Sequence, residues 1–308
     1  MKWLRIAVVV GCAVVLSSCR VVPKAEVWAW CGISPSDLHF AEKTQALKDS
    51  GVDATFGPCL PPAAGYTPAF PVGRYDTPAN YLTLVQRNAT LGVKTVVYDA
   101  RLWSDVADDR NAALQMWLPV SQWISAVDMG DEFDEAEFLV LAHRWSIVRT
   151  YITPTLKAYP FTNLMGVRCV VTCATGSTYY MEWALAHLPG TSSLLSFDAY
   201  DVPNGAIPDA VWADPLVQTL MCAVSVTPDV AGYMGNAPSL PATDSGVTIY
   251  TNMMNLRGAG CDAFLLFNAG DAVNTPPFSG VQSVHDWTPP YKINSWGAHV
   301  LLGAMVAP

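Results

Sequence analysis

Short apolar runs, rich in β-branched and aromatic residues, alternate with longer amphipathic segments through most of the chain. EVWAWCGI (26–33) predicts a first strand. SPSDLHFAEKTQALKDSG follows as a helix, with Ser34 or Ser36 as N-cap and Gly51 just past its end. VDATFG (52–57) is a second strand, ANYLTLVQRNATLG (79–92) a helix and VKTVVYDA (93–100) a third strand. AALQMWLPVSQW (112–123) reads as a helix containing Pro119. ISAVDM (124–129) is the fourth strand, and residues 134–159 form the longest helix. LMGVRCVVT (164–172) is the fifth strand and YYMEWALAHL (179–188) a helix. SSLLSFDAYDV (192–202) is the sixth strand with its exit loop. PDAVWADPLVQTLMCAV (208–224) is helical and DVAGYMG (229–235) the seventh strand. GVTIYTNMMNLRGAG (246–260) is helical, CDAFLLFNAGD (261–271) is the eighth strand, and KINSWGAHVLLGAMV (292–306) is a closing helix.

Eight strand–helix units in succession predict a single-domain (β/α)8 TIM barrel over residues 26–308. An open doubly wound sheet is the other arrangement of such units. That fold would place a glycine-rich phosphate loop after the first strand, and WCGIS is not GxGxxG. No internal repeat or low-complexity linker divides the chain. A length of 308 residues with 51% hydrophobic residues suffices for one large core.

Charge and cysteine content bear on compartment and partners. Net charge is -9, and no Lys/Arg cluster occurs, so no nucleic-acid partner is expected. Lys2 and Arg5 precede the apolar run IAVVVGCAVVL, which has the length of a secretory h-region. The following LSSC (16–19) resembles a bacterial lipobox. Residues 1–18 are then a signal peptide, Cys19 the lipidated residue and 19–25 a short tether. An ordinary signal cleaved after Ser17 is the other reading. Lipid would be the protein's only membrane attachment. Six cysteines remain: Cys31, Cys59, Cys169, Cys173, Cys222 and Cys261, an even number that suggests disulfides in an exported chain. Strand order favours Cys31–Cys59 and Cys222–Cys261, leaving Cys169–Cys173 to close a short loop. No metal site and no cofactor are expected. The CxxxC spacing lacks a nearby histidine, and the five histidines are scattered.

In such a barrel the active site lies at the C-terminal ends of the strands. Candidate polar residues there are Asp99 after strand three, Asp128, Asp131 and Glu132 after strand four, Asp198 and Tyr200 after strand six, and Asp271 after strand eight. Trp103 and Trp287 are candidate sugar platforms, and Asp99 has a salt bridge with Arg101 as its other reading. The stretch DMGDEFDEAE (128–137) holds six carboxylates in ten positions. Its second half reads as a helix start stabilised by the helix dipole. Its first half is the lip of strand four. Two carboxylates across such a mouth suit glycosidic bond cleavage, one protonated to assist the leaving oxygen and one ionised.

GDEF (130–133) resembles the DEP motif of bacterial glycoside-hydrolase-like TIM barrels. SFDAYDVP (196–203) resembles their D-x-Y-P signature after strand six. Phe133 stands where that motif has proline, and Pro203 is displaced by two residues. The resemblance implies Glu132 as catalytic acid and Asp198 as the strand-six aspartate. Asp99, Asp131, Tyr200, Trp103, Asp271 and Trp287, by their places at the strand ends and rim loops, are the expected substrate contacts, with a polysaccharide or oligosaccharide as partner. DAYD (198–201) also resembles an element of family 18 chitinases, whose strand-four DxDxE pattern DMGDE does not match. The larger glycosidase clan places a Glu on strand seven, and DVAGYMGN has none. A non-catalytic carbohydrate-binding lipoprotein on the same barrel is therefore the alternative to an exported glycoside hydrolase.

Overall fold

A computed structural model describes residues 24–30, 32–58, 77–131, 133, 137–164, 187–188, 193–198, 217–225, 247–259, 261, 263–267 and 295–305. Eight parallel strands close into a barrel in chain order: β1 Glu26–Ala29, β2 Ala54–Thr55, β3 Lys94–Val97, β4 Ile124–Asp131, β5 Tyr159–Leu164, β6 Ser193–Asp198, β7 Val217–Ser225 and β8 Ala263–Phe267. Closure comes from β1, which pairs with β2 on one side and with β8 on the other.

Successive residues of a strand point to opposite faces, so each strand feeds two apolar layers. Trp28, Ala54, Val96, Ala126, Phe161, Met221 and Leu265 pack together inside the barrel. Their strand neighbours Val27, Val97, Val127, Cys222, Phe264 and Leu266 belong to the outer layer, under the helices. Aromatic rings meet inside: the Phe161 ring lies 5.4 Å from Trp28 and 5.3 Å from Phe56, centroid to centroid.

Helix α1 spans Phe40–Asp49 and begins well after the expected Ser34 or Ser36. Those two hydroxyls bond to each other, while Asp37 accepts the His39 N–H and the Lys43 ammonium, so the residues before Phe40 form a turn. Helix α2, Pro78–Thr90, is capped by Thr77, whose side chain accepts the Asn80 N–H. Pro78 loses nothing there, since a first-turn N–H has no helical partner. Asn88 is buried on α2, and its amide donates to Thr55 and Thr95 at 3.0 Å each, tying the helix to β2 and β3. Helix α3 covers Ala107–Trp117 and gives way to 3₁₀ turns over Leu118–Trp123, where Pro119 cannot donate to an α-helical ladder.

Three sequence expectations are corrected. The long helix over 134–159 is broken: α4 is Phe138–Ile147, a π-helical stretch covers Val148–Ile152, and the short α5 is Thr153–Leu156. The chain then turns through Lys157 at φ 60, so Tyr159 already begins β5, ahead of the expected 164–172. The segment expected to be helical at 208–224 instead contains β7, and strand seven is not 229–235. Of its described side chains Met221 lies inward and Cys222 outward, and both are buried, so they show no polar–apolar alternation that periodicity could detect.

Helices α6 (Val247–Ala259) and α7 (Ser295–Met305) complete the described elements. The Ala304 carbonyl accepts the Ala25 N–H at 2.8 Å and the Arg257 guanidinium at 2.9 Å, fastening α7 below the start of β1. A disulfide joins Cys222 of β7 to Cys261 just before β8, with Cα atoms 6.2 Å apart.

Candidate active site

The C-terminal end of β4 is built around Gly130. From Asp128 to Asp131, three steps of β4 run beside only two steps of β5, because Asp128 pairs with Phe161 and Asp131 with Asn163. That mismatch is a β-bulge, which re-aims a strand end. Gly130 sits in it at φ +142, a conformation that residues with a Cβ rarely adopt. Its peptide is held on both sides. The N–H donates to Asp128 Oδ1 at 3.1 Å, and the carbonyl accepts the Thr162 hydroxyl at 2.8 Å. A Cβ at residue 130 would lie 1.9 Å from the Phe133 ring, so glycine is also required for space. Phe133 is buried in the outer core. The residue that departs from the DEP pattern is therefore an apolar anchor for the chain leaving β4.

Asp128 is itself buried, on the same face of β4 as Ala126 and hence on the barrel interior. Asn163 on β5 and Ser196 on β6 are buried too, and they pair in register with each other. Three successive strands thus carry polar side chains near the mouth of an otherwise apolar barrel. Sequence reasoning did not single out Thr162, Asn163 or Ser196. The available signal was a polar residue interrupting a short apolar strand, as in YPFTNL and SLLSFD.

Asp99 follows β3 and caps the 3₁₀ turn Ala100–Trp103 by accepting the Arg101 N–H. Its buried carboxylate also takes the Arg101 guanidinium in a two-pronged pair, at 3.0 and 2.7 Å, and the Trp117 indole N–H at 2.9 Å. The hydrogen bond to Asp99 raises the Arg101 pKa above its ordinary value, outweighing the opposing effect of burial. The salt bridge that the sequence offered as the other role of Asp99 is formed. Trp103 is buried, edge-on to Tyr98 with centroids 5.2 Å apart, and the Arg144 guanidinium lies 5.9 Å from its ring centre. Both residues are engaged inside the protein.

Asp131 is the last residue of β4 and Asp198 the last of β6, where it pairs with Ala223 of β7. Glu132, Tyr200, Asp271 and Trp287 lie outside the described residues, as do Cys19, Cys31, Cys59, Cys169 and Cys173. Among the described residues no group of three or more His, Cys, Asp or Glu side chains could hold a metal ion.

No protein-family model and no curated protein matches this chain. Among solved structures, SrfJ from Salmonella typhimurium matches with a TM-score of 0.54 and 10% identity, over 94% of this chain and 76% of that one. A GH10 xylanase from Thermobacillus composti matches with a TM-score of 0.50 and 9% identity, over 91% and 97% of the two chains. A GH128 endo-β-1,3-glucanase from Amycolatopsis mediterranei, solved with laminaritriose, superposes less closely, with a TM-score of 0.46 at 14% identity over 92% and 100%. At such identities the likeness is one of fold, and the shared fold is the (β/α)8 barrel.

Proposed function

We propose that this protein is an exported glycoside hydrolase that cleaves a cell-envelope or environmental polysaccharide. The observation that carries this reading is the pair of carboxylate residues ending β4 and β6, Asp131 and Asp198, at the end of the barrel where such folds keep their chemistry. Glu132 follows Asp131 directly. In this reading Glu132 protonates the departing glycosidic oxygen, and Asp198, ionised, activates water or attacks the sugar carbon. The xylanase that shares the fold is by its name a glycosidase, and it supports the substrate class by analogy of fold alone. Asp131, Tyr200, Asp271 and Trp287 are proposed to contact the sugar.

Hydrolysis of a glycan panel tests the assignment. Wild type should cleave at least one member, and Glu132→Gln and Asp198→Asn should each lower kcat by about 10²–10⁴-fold. Equal rates in wild type and Glu132→Gln remove that residue from the role.

One observation favours a second reading, a carbohydrate-binding lipoprotein without catalysis. β7, in its corrected position, contains no carboxylate. Calorimetric binding of an oligosaccharide by wild type and Glu132→Gln alike, with no hydrolysis by either, would decide for it. Export and lipid attachment at Cys19 are part of both readings. Intact-mass analysis of protein from a bacterial membrane fraction checks the attachment, and an unmodified Cys19 in the mature chain would rule it out.

A further inference from the structure

The β4 bulge joins three features that the proposed reaction leaves unexplained: a buried carboxylate, a buried hydroxyl and a glycine that tolerates no side chain. Asp128 and Thr162 bind opposite ends of one peptide group, the N–H and the C=O of Gly130, from the barrel interior and from β5. Both side chains are buried, at 2% and 0% exposure, so water does not compete for either bond. One residue further on, Asp131 is registered against Asn163. Two residues beyond that, Phe133 is anchored in the core against Gly130 itself. Glu132 is the single residue between these two fixed points.

We infer that Asp128 and Thr162 are positioning residues, clamping the Gly130 peptide so that the strand-four rim presents its acid in one backbone arrangement. An ordinary strand end would not need this. Without the bulge, Asp131 would fall on the opposite strand parity from Asp128. The one-residue insertion returns it to register with Asn163, which pairs with Ser196 and through it with interior Met221. A one-residue slip in a strand changes its pairing parity, so whatever holds the bulge sets the register in which the chain leaves β4 at Asp131. The identity of the acid rests on the glycosidase reading, whereas the clamp rests on the Gly130 geometry alone.

The test uses the full mature chain with Thr162→Val, which keeps side-chain volume and removes the hydroxyl, and Thr162→Ser, which restores it. Amide hydrogen exchange of a peptide covering 129–133 is the first readout. Thr162→Val should speed exchange there by about tenfold, leave β1 and β8 unchanged, and be rescued by Thr162→Ser. The second readout is hydrolysis of whichever glycan wild type cleaves. Thr162→Val should lower kcat by about ten- to a hundredfold with little change in KM, again rescued by Ser. Asp128→Ala, which releases the other end of the same peptide, should act in the same direction and serves if Thr162→Val fails to fold. Wild-type exchange at 129–133 in the variants overturns the clamp whatever the activity. Faster exchange with unchanged kcat overturns the positioning role. A wild type that hydrolyses nothing overturns the glycosidase reading, and the exchange experiment still decides the clamp.

Discussion

Glycines at positive φ are not equivalent in this chain, and Gly130 and Gly92 show the difference. Gly92 has φ +70, and an added Cβ would meet only the Lys48 ammonium at 3.1 Å, the end of a flexible side chain. At Gly130 the same atom would overlap the buried Phe133 ring. Gly92→Ala should therefore cost about 1 kcal/mol, the left-handed backbone penalty alone. Gly130→Ala should cost about 3 kcal/mol, because overpacking adds to the backbone penalty. Urea denaturation of both variants measures the difference, and equal losses would show that the Phe133 contact does not matter. Sequence alone picked out GDEF but attributed its interest to the acids. The glycine and the phenylalanine are what organise it, through a contact between residues three apart that a strand's period of two does not imply. Asp99 teaches the converse. Its place after a strand reads as a site position, yet its carboxylate carries Arg101 and Trp117. A side chain's partners eighteen residues away are invisible to local reading. The same holds for Asn88, whose Asn-Ala-Thr context matches a glycosylation sequon although the residue is buried on α2 with its amide bonded to β2 and β3.

At the scale of elements, the strands that were legible are short runs of β-branched, leucine or aromatic residues. β3, β4 and β8 lie within the expected segments, as do α2, α6 and α7 to within a residue or two. The misplaced ones have specific reasons. β5 contains Pro160, which reads as a helix stop but costs a strand only one donor. β7 begins soon after Pro215 and is rich in residues that also suit helices, and only pairing with β6 and β8 makes it a strand. The Cys222–Cys261 disulfide clips β7 to the approach of β8 across 39 residues. For a loop of that length, chain-entropy reasoning predicts about 4 kcal/mol of stabilisation. Guanidinium denaturation with and without reductant checks this against a Cys222→Ala/Cys261→Ala double variant. Reductant should lower wild-type stability by about 4 kcal/mol more than it lowers the variant's, because any other disulfide contributes to both. Identical responses to reductant would mean that this bridge adds nothing.

For the whole molecule, stability is concentrated in the barrel interior. Phe161 touches Trp28 and Phe56 there, drawing β5, β1 and the residue just after β2 together. Phe161→Ala should cost about 3–5 kcal/mol. Leu139→Ala on the solvent face of α4, at a position 75% exposed, should change stability by less than about 0.5 kcal/mol. A thermal-denaturation series ranks the two, and comparable shifts would mean that the interior is not the stabilising layer. The sequence by itself determined the architecture. Alternating β and α segments, each with an apolar face too large to leave wet, have few ways to be buried, and a closed barrel is one that uses all eight strands. It also marked the strand-four and strand-six acids, because carboxylates at strand ends stand out in a chain where 14% of residues are charged. Tertiary structure alone decided the register: where β5 and β7 lie, which cysteines meet, and that the β4 rim bends around Gly130. Each of those depends on pairings between residues distant in sequence, and the free energy of such contacts exists only once the barrel has closed.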